Sequence, residues 1–331
     1  MIRSSSALGS RRFRHIHSNY TQTVAPFRIR NVDGLLIIDK PTGITSHDVV
    51  ARVRRTLKTK RVGHTGTLDP FATGVMVILV GKATRLAQFL DKDEKEYEAV
   101  IRFGFETDTG DSTGRPKPEA ERRNEDEVAK GLRAVNWELV LSGFSGEIEQ
   151  TPPMYSAKKV EGKKLYELAR KGIEIERKPV TVNIHKLEIL DSAVRDPQSA
   201  VLRVVCSAGT YIRTLAEDIG REIGLGAHLT ELRRTRAGRF TLHQAVTLDE
   251  LQGSAESAKL LAIETAVEHL PEFELREDRV PKTLNGMSTR ELSGRFTVGE
   301  TVRMTSPDGA LVAIGFYDDA EKVIQPKVVL G

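Results

Sequence analysis

One cysteine, Cys206, occurs in 331 residues. The chain therefore has no intrachain disulfide and no multi-cysteine metal site. Cys206 lies in the apolar run "VLRVVCSAG", where a thiol reads as a small buried hydrophobe. No apolar run reaches the length of about 18 residues that a membrane-spanning helix needs. The eight histidines show no H-x-x-x-H or comparable spacing, so a zinc or iron site has no support. "VGKAT" resembles a phosphate-binding loop but lacks its first glycine, since Met76 stands there, and Ala83 replaces the Ser/Thr. A nucleophile elbow of the form G-x-S-x-G is also missing.

Acids are absent from two stretches. None precedes Asp33, and the first 32 residues carry six arginines and five serines. That composition fits a mitochondrial transit peptide as well as a disordered basic tail. The expectation adopted is a basic tail over 1–32 and a cytoplasmic protein, with mitochondrial import as the alternative. Between Ala51 and Leu68 there is again no acid, but six basic residues: Arg52, Arg54, Arg55, Lys58, Lys60 and Arg61. Part of this run is a solvated helix face, yet it would steer a polyanion toward whatever follows it. The net charge of +4 leans the same way without establishing a partner.

Among what is present, 39% hydrophobic and 29% charged residues describe a globular chain long enough for two domains. Folded sequence is expected from "GLLIIDKP" (34–41), an apolar strand stopped by Lys-Pro. Ser46 is a candidate N-cap for a helix with Val49, Val50, Val53 and Leu57 on one face. "GVMVILVG" reads as a fully buried strand and "KATRLAQFL" as a helix after it. "EYEAVIRFGFETDTGD" alternates like a strand and ends in a polar turn. The segment 112–130 reads as a loop leading into a short helix. "VLRVVCSAGTYIRTLAEDIGREIG" is a strand, a Gly turn and an amphipathic helix with Ile212, Leu215, Ala216, Ile219 and Ile223 inward. After about Pro271, short strand-like runs between Gly, Pro and Asp turns suggest a small all-β module.

Asp69 is the residue that a bland reading explains least. It stands alone in "GHTGTLDPFATG", its nearest acids being Asp48 and Asp91, among glycines that would let backbone or ligand come close. Asp-Pro also favours a simple turn, and composition alone does not decide between the two. A partly buried acid here would need a cation, which Arg213 in "GTYIRT" could supply. Tyr97 and Tyr211 could stack on an extruded base or be ordinary core residues.

Taken together, "LLIIDKPTGITSHDVV", "GHTGTLDPFATGVMVILVGKATR", "KEYEA", "GFETDTGDSTG", "TPPMYSAKKVEGKKLYELARKG", "AGTYIRTLAEDIG" and "GAHLTELRR" resemble the TruB-type tRNA pseudouridine synthases, in that family's order. The resemblance covers most of 34–250. It implies a mixed α/β (α+β) catalytic domain over 33–271 with a largely antiparallel central sheet, followed over 272–331 by a small PUA-like β module that binds RNA. It implies conversion of uridine 55 in the T-loop of tRNA to pseudouridine by base flipping. No cofactor and no metal would be used, and the tRNA T-arm would be the partner of a monomer. Residue by residue, Asp69 matches the essential aspartate and Arg213 the arginine that pairs with it. Tyr97 matches the ring against the flipped base, which could also transfer protons. Tyr211 and Leu232 match further pocket residues, and Lys40 with Pro41 a motif supporting the active-site loop. His64 matches a residue that pushes into the T-loop. Residues 150–172 match an insertion that closes over it, with Lys158, Lys159, Lys163 and Lys164 for phosphates. The Arg-rich tail and the loosely matched C-terminal module depart from the pattern.

Overall fold

The computed structural model describes residues 32–117, 123–156, 159–160, 163–169, 172–173, 175–192, 196–253 and 260–331. The basic tail and Lys158 lie outside the described residues. In chain order the elements that position the site are β1 (Gly34–Lys40), α1 (Ser46–Thr56), β2 (Val62–Thr65), β3 (Thr73–Val80), α2 (Ala87–Leu90), β4 (Lys95–Phe103), α3 (Glu125–Ala134), α4 (Trp137–Ser142), β5 (Gly146–Gln150), the two-residue strands β6 (Lys159–Val160) and β7 (Lys163–Lys164), α5 (Leu165–Ala169), β8 (Val180–Ser192), β9 (Ser199–Cys206), α6 (Ile212–Glu222), β10 (Ala227–Ala237) and β11 (Phe240–Thr241).

Among the described residues, nine strands form one sheet in the order β1-β3-β10-β4-β9-β8-β5, with β2 paired to β3 and β11 to β10. Every pairing is antiparallel except β10 with β3, which run parallel at Arg233↔Thr73 and Arg234↔Gly74. At that junction a Cβ on Gly74 would sit 2.2 Å from the Arg234 carbonyl oxygen, and the φ of +103° is itself one that favours glycine. From Gly74 onward β3 is apolar because it lies inside the sheet, buried on both faces. β4 alternates instead: Lys95, Tyr97, Ala99, Ile101 and Phe103 point inward and the residues between them are half-buried.

Two details depart from the sequence reading. The N-cap of α1 is Thr45, not Ser46: the Thr45 side chain accepts from the Asp48 N–H, and Asp48 accepts from the Thr45 N–H in return. Ser46 is the first helical residue, buried and bonded elsewhere. The helix expected over 82–90 begins as a 3₁₀ segment at Gly81–Leu86 and becomes α-helical only at Ala87–Leu90. Ala83 and Leu86, three apart, both face the core, which suits the three-residue period of a 3₁₀ turn. Asp33 caps this turn through the Lys82 N–H.

C-terminal to these elements, β12 (Glu272–Glu274), β13 (Thr289–Arg290), β14 (Thr301–Thr305), β15 (Leu311–Asp318) and β16 (Val323–Val329) form a second sheet in the order β12-β14-β15-β16-β13. It has its own core around Phe273, Phe296, Met304 and Tyr317. Leu311, Ile314, Val328 and Leu330 join a different cluster, with Leu35, Ile37, Val75, Val77 and Leu79 of the large sheet. The two sheets thus share apolar core.

Candidate active site

The loop that carries Asp69 runs between β2 and β3, and side chains from four directions hold its backbone. From α1, the Ser46 hydroxyl donates to the Leu68 carbonyl (3.0 Å) and accepts from the Leu68 N–H (2.9 Å). From the end of β1, fully buried Lys40 donates to the carbonyls of Ala72 (2.7 Å), Pro70 (3.2 Å) and Pro41 (3.0 Å). Burial pushes the Lys40 ammonium down to about 8, against the attraction of Asp69. Thr42 donates to the Phe71 carbonyl, and from β10 Arg234 donates to that of Gly66 at 3.0 Å. A loop whose carbonyls are tied to the core in this way is rigid, and so is the carboxylate it presents.

Arg213, in the first turn of α6, reaches that carboxylate: its Nε lies 3.0 Å from Asp69 Oδ2. The rest of the guanidinium is also engaged. One amino group donates to the Thr109 carbonyl (2.8 Å) and lies 3.5 Å from Asp111 Oδ2, and the other donates to the Tyr155 carbonyl (2.6 Å). Asp111 is itself buried and accepts from the Thr113 N–H and the Thr109 hydroxyl, both at 2.9 Å. Arg213 is therefore a core arginine, its side chain 7% exposed, while that of Asp69 keeps 34% at the cavity surface. Burial raises the Asp69 carboxyl above the ordinary aspartate range; Arg213 pulls it back down and Asp111 pushes it up.

Beside Asp69 opens a cavity of about 250 Å³ lined by residues from the Asp69 loop, β4, β10, the 207–211 turn and α6. Tyr97, Tyr211, Leu232 and Arg213 all line it, together with Asp69. Strand parity brings them together: Tyr97 is inward on β4, and Leu232 and Arg234 are inward on β10, two residues apart. Tyr211 is held as the residue before α6 by buried Gln150, which accepts from its N–H (2.9 Å) and donates to its carbonyl (3.2 Å). Burial raises both tyrosine hydroxyls above their usual range.

His64 does not line this cavity. It sits on β2, half-buried, its ring edge-on to His47 at 5.9 Å, and burial lowers it to about 4, so it is neutral at physiological pH. Lys159, Lys163 and Lys164 fall on the β6–β7 hairpin, where Lys159 pairs with Lys164. The structure adds residues that the sequence reading passed over: Asp111, Gln150, Ser156, Lys95 and Arg234. Of these, Ser156, Lys95 and Arg234 line the cavity. The last two were within reach of sequence reasoning, since Lys95 stands two before Tyr97, and Arg234 two after Leu232, in strand-like runs. Asp111 gave no comparable signal.

With this geometry in place, comparisons with known proteins converge. Residues 54–212 match the model of the TruB family pseudouridylate synthase N-terminal domain, and 213–270 that of the tRNA pseudouridylate synthase B C-terminal domain. A protein called tRNA pseudouridine synthase B from Symbiobacterium thermophilum is 48% identical over 78% of this chain and 83% of its own length. The protein of that name from Bacillus subtilis is 41% identical over 90% of this chain and 98% of its own. Among solved structures, a Cbf5–Nop10–Gar1 complex superimposes with a TM-score of 0.66 at 28% identity, covering 90% of this chain and 85% of the other. An H/ACA RNP bound to a substrate RNA containing 2′-deoxyuridine gives 0.64 at 26% identity, with the same coverage.

Proposed function

Since the chain belongs to the TruB family and is a pseudouridine synthase, an isomerase, we propose that it converts uridine 55 in the T-loop of tRNA to pseudouridine with Asp69 as the essential carboxylate. The observation that carries the reading is the Asp69–Arg213 pair. It is an acid on a pinned, glycine-rich loop, gripped by a core arginine and left partly open to a cavity walled by Tyr97, Tyr211 and Leu232. The names of the relatives supply tRNA as the substrate class.

In this reading the uridine leaves the base stack at a cost of a few kcal/mol and enters the cavity, where Tyr97 faces the ring. The Asp69 carboxylate works on the ribose, either by attacking C1′ or by removing a ribose proton. Arg213 orients it and opposes the burial that would otherwise protonate it. His64, neutral and outside the cavity, enters the T-loop as a wedge rather than as a base. Lysines 158, 159, 163 and 164 and the C-terminal sheet contact phosphates, the enzyme acts as a cytoplasmic monomer, and no cofactor takes part. The test is to incubate the purified protein with unmodified tRNA and map pseudouridine by chemical probing. Product at position 55 is the expected result, and product only at other positions would overturn the site assignment.

A further inference from the structure

Arg234 is the largest fully buried side chain of the described residues, 1% exposed. Its Nε donates to the Val75 carbonyl (2.7 Å) and one amino group to the Gly66 carbonyl (3.0 Å). Among the described residues no carboxylate lies within ion-pair distance of its guanidinium. A buried cation satisfied by carbonyls but unpaired by an acid is expensive, and structural arginines of this depth are normally neutralised. Arg234 also stands directly opposite Tyr97 in the β4–β10 register, on the same inward face, and both side chains line the cavity. The unspent positive charge is therefore aimed at one phenol in the wall of the cavity.

We infer that Arg234 is a positioning residue that stabilises the phenolate of Tyr97, the ring that the family resemblance already links to proton transfer; this rests on the reaction and site proposed above. The reaction breaks the N1–C1′ bond of uridine, makes a C5–C1′ bond, takes the hydrogen from C5 and leaves one on N1. When the N1–C1′ bond breaks, its electron pair stays with the uracil, and the Tyr97 hydroxyl gives its proton to that anion. Arg234 stabilises the phenolate left behind. Once the turned base has bonded C1′ through C5, the phenolate takes the C5 proton and the C5–H electron pair restores the C5=C6 double bond. N1 keeps the first proton, and Tyr97 is a phenol again. No external acid or base is required.

The other charged or titratable groups around Tyr97 fit this role. Asp69 from the loop and Cys206 from β9 both disfavour a phenolate, and burial disfavours it most. Burial also lowers the Lys95 ammonium, two residues before Tyr97 on β4. Arg234 is the cation placed to oppose them.

Single-turnover rates on a T-arm stem-loop carrying uridine or 5-deuterouridine test the inference. Arg234→Met should slow turnover by about a hundredfold or more, the scale of general acid–base catalysis. C5–H cleavage should become limiting, giving a deuterium isotope effect larger than that of the wild type. Arg234→Lys, which keeps the charge, should recover part of the rate. Tyr97→Phe combined with Arg234→Met should lose far less than the product of the two single losses, the remainder being the share that the Arg234 bond to the Gly66 carbonyl contributes through the Asp69 loop. A folded Arg234→Met that is slow without a larger isotope effect, or a double variant with multiplied losses, would show a merely structural role and overturn the inference. Should Arg234→Met fail to fold, Arg234→Lys carries the same isotope test with the same two outcomes. Failure of the wild type to convert the stem-loop at all would instead count against the proposed substrate.

Discussion

The two walls of the cavity treat buried charge in opposite ways. On one side Asp69, Arg213 and Asp111 form a chain of alternating sign, each charge next to an opposite one at 3.0 and 3.5 Å. On the other, Arg234 and Lys95 are two cations side by side, bonded to the carbonyls of Val75, Gly66 and Asp93. Both walls carry a desolvation cost; the first offsets it by ion pairs in contact, whereas in the second only Asp93 and Asp91, outside ion-pair contact, oppose the burial of Lys95. A charge compensated at rest is suited to holding a geometry, whereas one left uncompensated is suited to receiving charge that develops during the reaction.

The largest effect expected is from Asp69→Asn. Turnover should be abolished while tRNA binding stays within about tenfold, because phosphate contacts dominate affinity and the ones proposed above lie outside the cavity. Residual activity of a few per cent would sink the assignment. The same variant has a stability signature. The folded-state carboxyl is raised above its unfolded value, so the wild type loses stability as pH climbs from about 4 through the folded pKa. Asn removes that loss. The variant should melt above the wild type at neutral pH, with the advantage vanishing near pH 4; a lower melting point at pH 7 would mean that the pair with Arg213 outweighs burial.

Arg213→Met should come next, with kcat down by about a hundredfold or more, as for loss of one preorganised charge partner. Without Arg213 the Asp69 carboxyl should rise further, so the deficit should narrow as pH increases from roughly 6. Lys40 limits the recovery, because it gives up its own charge near 8. Rate profiles of both proteins over this range are the measurement, and a proportional loss that stays constant with pH would break the pairing.

Adjacent hydroxyls separate fold from site. Ser46→Ala leaves the Leu68 N–H and carbonyl without their partner, at a cost of about 1–3 kcal/mol. The freed loop should lower kcat roughly tenfold, since small misplacements of a catalytic group are costly. Thr45→Ala should cost about 1 kcal/mol as a lost N-cap and leave kcat unchanged. Equal kcat for the two variants would show that the Asp69 loop does not depend on α1.

How far each wall could be read from sequence follows from the distance over which its signal is written. Asp69 stood out locally, as a lone acid among glycines, and the buried face of α6 followed from its helical period. Arg213 could be suggested as its partner only because an isolated acid demands one, and the resemblance strengthened the match. Asp111 was passed over: its partner Arg213 lies far along the chain, and in "ETDTGDSTG" it looks like any turn acid. Arg234 was hidden differently. In "ELRRTR" it reads as one of several surface charges, and only the parity of β10, fixed by Leu232 facing inward, marks it as buried. The Ser46 cap failed by one residue because Thr45 and Ser46 are equally good caps, and what decided between them was the tertiary bond from Ser46 to Leu68.

The smallest effect expected concerns the uncompensated wall. Lys95 is buried, donates to the Asp93 carbonyl at 2.5 Å, and is lowered mainly by burial; the Asp93 and Asp91 carboxylates oppose the shift and Arg234 adds to it. A base whose folded pKa lies below its unfolded value penalises the fold wherever it is protonated in both states. The penalty fades only as pH rises through the folded pKa toward the unfolded value of about 10.4. Lys95→Met keeps most of the apolar stem and removes the charge, so at pH 7 it should melt at or slightly above the wild type. Parallel melts at pH 7 and pH 10 supply the check, with the difference shrinking at the higher pH. A clear loss of stability at pH 7 would mean that the hydrogen bond to Asp93 outweighs the cost of burial. The cation wall would then be built for structure as firmly as the acid one.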